Sequence, residues 1–312
     1  MARARMPGVL AFRLPVPVPG LKGGGLALGE RKVRSMLPNF IMIGAMKSGT
    51  SSLHAYLDEH PDISMSCPKE LDFFIEERRW DKGFAWYEAH FSKDAAIRGE
   101  SSVGYSQRHM YAGVPERICA MIPEIKLLYL LRDPVERLVS HIIQLSLMGL
   151  EPRDFLEVLD DLRDSDYILS SRYHYQLSAY LACFPKERIQ VLTLEELVRD
   201  KVGTIQKVFQ FLGVDDSFVG KDWALVHNRS VDKYERNLLG MAMQKVPFRR
   251  QLKPMVPAAL ATAYSRLTAR KPAGLLRPVL TGEKRAEIAE LLRDDIDHLR
   301  ALAGRDFPEW SL

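Results

Sequence analysis

Two glycines five residues apart, Gly44 and Gly49, stand between an apolar run and a helix-like stretch, and that arrangement leaves few folds open. Phe40-Ile41-Met42-Ile43 reads as a buried strand, and Ser51-Ser52-Leu53-His54-Ala55-Tyr56-Leu57 reads as a helix start. A strand that turns through glycines into a helix N-terminus forms an anion cradle, because backbone N–H groups and the positive helix end face the ligand. Hydroxyls at Ser48, Thr50 and Ser51 add donors. The glycine spacing is that of the common triphosphate loop G-x-x-x-x-G-K-[ST]. Here Thr50 follows the second glycine, and the lysine lies inside the turn at Lys47. The displaced lysine points to a phosphoryl ligand other than ATP or GTP.

A second anion site follows from Lys126-Leu127-Leu128-Tyr129-Leu130-Leu131-Arg132-Asp133-Pro134. The apolar run reads as a buried parallel strand. Asp133 is placed as the N-cap of the next helix, with Pro134 at its first position. Arg132 then sits where strand becomes helix, at the carboxyl edge of the sheet where open α/β folds bind ligands. A triphosphate enzyme ends such a strand in an aspartate that holds magnesium. An arginine there meets an anion directly, and no metal is called for. Taken alone, Arg132 reads equally as a surface arginine capping a strand end.

Together these stretches resemble the two cofactor motifs of sulfotransferases that use 3′-phosphoadenosine 5′-phosphosulfate (PAPS). Ile43 to Leu53 is similar to the motif that holds the 5′-phosphosulfate, and Leu131 to His141 to the motif that holds the 3′-phosphate. Pro68-Lys69-Glu70-Leu71-Asp72-Phe73-Phe74 is similar to the Lys-Glu-x-x-Phe-Phe segment of the carbohydrate (heparan-type) branch, and Gly99-Glu100-Ser101-Ser102 to its Glu-Lys-[ST] segment. Tyr173 to Leu177, Phe184-Pro185 and Val191 to Leu197 also fit, so the likeness covers about residues 37–235 and 278–310.

The resemblance implies a P-loop-like α/β fold, a doubly wound parallel sheet flanked by helices in a single domain. It implies sulfuryl transfer to a hydroxyl or amine of a carbohydrate or glycolipid, with sulfation of another small alcohol as the alternative. Lys47 and Glu100 become catalytic residues, the second as general base, with Lys69 orienting the acceptor or steadying the sulfuryl group. Lys47, Ser48, Gly49, Thr50, Ser51, Ser52, Arg132 and Ser140 become the cofactor-binding set. Asn228, Arg229 and Ser230 join it from a late loop over the adenosine, which departs from the Lys-Gly-Arg form of heparan enzymes. A P-loop kinase is the competing reading; Thr50 and Arg132 both argue against it. A catalytically dead nucleotide-binding scaffold is the third, and Lys47 together with Glu100 argues against that.

With 312 residues the chain is long enough for one large α/β domain. Cys67, Cys119 and Cys183 are odd in number and lack C-x-x-C spacing, which favours neither zinc nor a disulfide framework and fits a cytoplasmic setting. No apolar run is long enough to span a bilayer. The first 36 residues hold seven basic residues and one acid, with a Pro-Val repeat and three consecutive glycines, and read as a basic, disordered leader before a domain at 37–312. The remainder holds 37 basic and 39 acidic residues, which excludes a nucleic-acid-type surface. Residues 232–282 carry ten basic residues against two acids among apolar ones. They read as a basic helical lid that meets an anionic sugar chain or a membrane surface, or else as a solvated helical face.

Along the chain, helices are expected at 107–122, 134–148, 151–182, 200–212 and 283–303, and strands at 95–100 and 188–194. The aromatic stretch Phe73 to Phe91 reads as core and lid. The last helix carries Ile288, Leu291, Leu292, Ile296 and Leu299 at helical spacing.

Overall fold

The computed structural model describes residues 36–92, 94–224, 235–236, 269–270 and 278–312. Five strands, β1 (Phe40–Gly44), β2 (Ile63–Met65), β3 (Ile97–Ser101), β4 (Lys126–Leu131) and β5 (Ile189–Thr193), form one parallel sheet in the order β2-β3-β1-β4-β5. The chain begins in the centre, builds one edge, then crosses over β1 to build the other. That reversal places a switch point at the carboxyl ends of β3, β1 and β4, where open α/β sheets bind ligands. In register, Ile41 faces Glu100 of β3 on one side and Leu127 of β4 on the other.

Among the described residues the sheet is flanked by ten helices, α1 (Thr50–Asp58), α2 (Phe84–Glu88), α3 (Val114–Met121), α4 (Pro134–Leu147), α5 (Phe155–Asp160), α6 (Asp166–Leu169), α7 (Tyr173–Leu181), α8 (Leu194–Arg199), α9 (Lys201–Leu212) and α10 (Gly282–Ala303). Alternate strand residues feed two cores, as a pleated sheet buried on both faces requires. Phe40, Met42, Leu128 and Leu130 pack against Leu53 and Leu57 of α1 and Ile205, Val208 and Phe209 of α9. Ile41, Ile43, Leu127, Tyr129 and Leu131 pack on the opposite face against α3, α4, α7 and α10. The aromatic stretch joins this second core through Phe73, Phe74, Trp80, Tyr87 and Phe91.

Several expected ends hold. Asp133 caps α4 by accepting from the Val135 and Glu136 N–H groups, and Pro134 opens the helix. Gly213 closes α9 in the left-handed conformation. Helix α10 buries Ile288, Leu292, Ile296 and Leu299 and leaves Leu291 partly exposed. Its Asp295 carboxylate accepts the N–H groups of His174 and Tyr175 at the start of α7, at 2.9 and 2.8 Å.

Three expectations need correction. The helix expected at 107–122 is only α3, because Gly113 adopts a left-handed turn just before Val114 and Pro115. The run 151–182 is three short helices, since Asp154 and Ser165 each cap a new start with their side chains. Strand β2 adds an edge strand that sequence pattern does not announce, since three residues are too few to show an alternation. Among the described residues no helix is long and apolar enough to cross a membrane. Of the basic segment 232–282, only its end and a two-residue antiparallel pairing of Glu235–Arg236 with Ala269–Arg270 are described; the proposed leader and the late-loop residues Asn228, Arg229 and Ser230 lie outside the described residues, apart from Met36.

Candidate active site

The turn from β1 into α1 is a tight loop with its backbone in the left-handed region at two positions. Lys47 has φ 72° and Gly49 φ 88°, so the loop folds back on itself before the helix begins. A Cβ at Gly49 would lie 2.7 Å from Leu194 Cδ1, so only glycine combines this conformation with this contact. No side chain caps α1, and no acid stands in its first turn, which leaves its positive end to the loop. Ser48 is fully buried, and its hydroxyl has no hydrogen-bond partner among the described residues. A buried hydroxyl of this kind is costly unless something accepts from it or donates to it. Thr50 and Ser52 are buried beside it, and Ser51 is partly exposed.

Arg132 leaves the end of β4 and reaches this loop. Its Nη1 donates to the Lys47 carbonyl at 3.4 Å, and its Nη2 lies 3.6 Å from the Glu136 carboxylate. The Tyr173 hydroxyl donates to the Arg132 carbonyl at 2.7 Å and fixes the strand end. Ser140 is buried one turn and a half along α4. The two stretches that sequence reading picked out separately therefore adjoin, 85 residues apart in the chain.

Glu100 lies in β3, which ends one residue later at Ser101 rather than at Glu100. Its carboxylate is fully buried inside a cage of three hydroxyls. Oε1 accepts from Ser102 and Tyr105, both at 2.7 Å, and Oε2 accepts from Tyr87. Two of the cage hydroxyls are themselves oriented by backbone, since Ser102 accepts from the Asp72 N–H and Tyr105 from the Phe74 N–H. Burial pushes the Glu100 carboxyl up to about 7, against the pull of the three donors, and the Asp72 carboxyl nearby adds to the rise. The cage residues Tyr87, Ser102 and Tyr105 went unread in the sequence. Ser102 and Tyr105 lie near Glu100 in sequence, but Tyr87 comes from α2 in the aromatic stretch.

Lys69 pairs with Glu70 at 2.7 Å. His54, on α1, meets the Ser101 hydroxyl through Nδ1 at 3.0 Å. Burial, and then the neighbouring Lys69 ammonium, hold the His54 imidazole down to about 4. The structure thus brings Lys69, Glu70, His54 and Ser101 together at the carboxyl end of β3. His141, which the sequence places on the same helix as Ser140, packs edge-on against Tyr167 with centroids 4.8 Å apart. Burial and the cations Arg137 and Lys47 hold it neutral, with its imidazole pushed down to about 2.

Comparison with known proteins accords with this geometry. The sulfotransferase domain family model matches residues 37–271. Mouse heparan sulfate glucosamine 3-O-sulfotransferase 6 is 30% identical over 222 residues, covering 65% of this chain and 63% of that protein. Human heparan sulfate glucosamine 3-O-sulfotransferase 3A1 is 32% identical over 200 residues, covering 61% of this chain and 48% of that protein. The chain therefore spans less than two thirds of the length of these relatives. Among solved structures, a sulfotransferase from Alicyclobacillus acidocaldarius aligns with a TM-score of 0.64 at 25% identity, over 88% of this chain and 99% of that one. With the family model matching well over half of its length, this chain belongs to the sulfotransferase domain family.

Proposed function

We propose that this chain transfers a sulfuryl group from PAPS to a hydroxyl of a carbohydrate or glycolipid. The observation that carries the reading is the contact of Arg132 with the Lys47 carbonyl, which brings the two candidate anion-binding stretches together. Adenosine phosphorylated at both its 3′ and 5′ ends is a ligand that uses both. The named relatives act on heparan sulfate glucosamine, which supports a sugar hydroxyl as acceptor.

The residues present suit that donor. Ser48, with its unpartnered buried hydroxyl, Lys47 and the N-terminus of α1 would hold the 5′-phosphosulfate. Arg132 and Ser140 would grip the 3′-phosphate, the arginine in bidentate fashion. When bound, the donor supplies an activated sulfuryl group whose leaving phosphate gains charge. Lys47 opposes that charge, as a positioned cation does in phosphoryl transfer. Glu100 accepts the proton of the acceptor hydroxyl. Since its carboxylate is fully buried, the acceptor hydroxyl must enter the cage or pass its proton through one of the cage hydroxyls. Lys69, near His54, orients the acceptor.

Calorimetry tests the donor directly. Adenosine 3′,5′-bisphosphate should bind in the presence of a chelator, with ATP and magnesium unable to compete at equal concentration. Affinity that needs magnesium, or a preference for ATP, would overturn the reading in favour of a kinase.

A further inference from the structure

Arg137 is among the largest wholly buried side chains of the described residues. Its Nε donates to the Ser171 hydroxyl at 2.7 Å, its Nη2 to the Tyr167 carbonyl at 2.6 Å, and its Nη1 lies 3.5 Å from His141 Nδ1. All three partners are neutral. Among the described residues no carboxylate forms an ion pair with it. Arg117, also buried, differs in this respect, since its guanidinium pairs with Glu76 at 3.2 Å.

Burying a guanidinium without a counter-ion costs several kcal/mol. Two further features make the Arg137 site worse for a cation. It lies in the first turn of α4, next to the positive helix end. It also feels Arg132, and His141 beside it feels Lys47. Burial lowers its own affinity for the proton, to about 10, yet leaves it charged at neutral pH. Arg137 thus stands near two other cations, Arg132, which Glu136 faces at 3.6 Å, and Lys47, while among the described residues no carboxylate pairs with Arg137 itself. Arg137, Ser140 and His141 lie at i, i+3 and i+4, on one face of the helix. Ser140 is a member of the proposed 3′-phosphate site.

We infer that Arg137 is a positioning residue for the anionic nucleotide: its buried charge is compensated when a phosphate settles on Arg132 and Ser140. It acts through space and through the α4 face, and its hydrogen bonds to Tyr167 and Ser171 hold the charge in place. The inference rests on the 3′-phosphate reading above.

Calorimetry with adenosine 3′,5′-bisphosphate and with adenosine 5′-phosphate separates the two claims. Arg137→Met should weaken the bisphosphate by roughly tenfold, the scale of one charge–charge interaction at intermediate dielectric, and leave the monophosphate within about twofold by the same argument. Arg137→Lys, which keeps the charge, should lie much closer to wild type. If the wild type does not bind the bisphosphate, the functional reading fails. If it binds and Arg137→Met binds equally well, only the role of Arg137 fails. Should Arg137→Met not fold, the wild type decides the question. In protein labelled with ¹⁵N-arginine, the buried Arg137 Nε–H signal should shift when the bisphosphate binds and stay in place with the monophosphate. Equal shifts, or none, would overturn the inference.

Discussion

Glu100→Gln should lower single-turnover sulfation by roughly two to four orders of magnitude, the usual share of general base catalysis, with nucleotide affinity unchanged. Glutamine keeps the shape of the side chain but cannot accept a proton. The pH profile carries a second signature of the same group. Burial holds the Glu100 carboxyl near 7, so the ionised base is lost as pH falls through that value. The wild-type rate should therefore climb up to about pH 7 and level off above it. Tyr87→Phe or Tyr105→Phe removes a donor that favours the carboxylate, so the rise should move to higher pH. Stability responds with the opposite sign. A carboxyl whose folded value is raised contributes stability that is present below its ordinary value of 4.5 and lost as pH rises through about 7. Near-normal turnover in Glu100→Gln would place the base elsewhere, and His54 or His109 would be tested next.

Lys47→Ala should damage binding and chemistry together. A charge-assisted contact to the donor is worth roughly 1.5–3 kcal/mol of affinity. Loss of a cation at the leaving phosphate should cost turnover a further factor of about 10² to 10³, as for an oxyanion donor. Backbone conformation supplies a control. Lys47 is held at φ 72°, which strains any residue with a Cβ, so Lys47→Gly relieves that strain while deleting the ammonium. Lys47→Gly should be at least as stable as Lys47→Ala and equally impaired. Single-turnover rates beside calorimetric affinities check both variants. If either keeps wild-type turnover at saturating donor, Lys47 does not act on the leaving group.

The parts of this site that could be read from the chain are those that local chemistry writes into a short stretch. The cradle at Gly44 to Ser51 is legible because strand, turn and helix start follow one another within a dozen residues. Arg132 is legible because Asp133-Pro134 marks the helix start that fixes its place. The order of strands is not written locally, so the contact between Arg132 and Lys47 could be expected only through resemblance. Glu100 is legible through resemblance, but its cage is not, because Tyr87 arrives from α2 and burial of a carboxylate leaves no periodic trace. Arg137 is a charge among Val135, Leu138 and Val139, all buried, and reads from sequence as one polar residue on a helix. The division of 151–182 is written in its capping residues: Asp154 and Glu157 form a capping box, and Ser165 caps the next start.

The central claim is that one site reads phosphate at both ends of a nucleoside, with Arg132 reading the 3′ end. Titration of wild type and Arg132→Ala with adenosine 3′,5′-bisphosphate and adenosine 5′-phosphate tests it in one thermodynamic square. The account predicts that Arg132→Ala loses roughly 1.5–3 kcal/mol toward the bisphosphate and almost nothing toward the monophosphate. Equal losses toward both ligands, or no loss toward either, would contradict it.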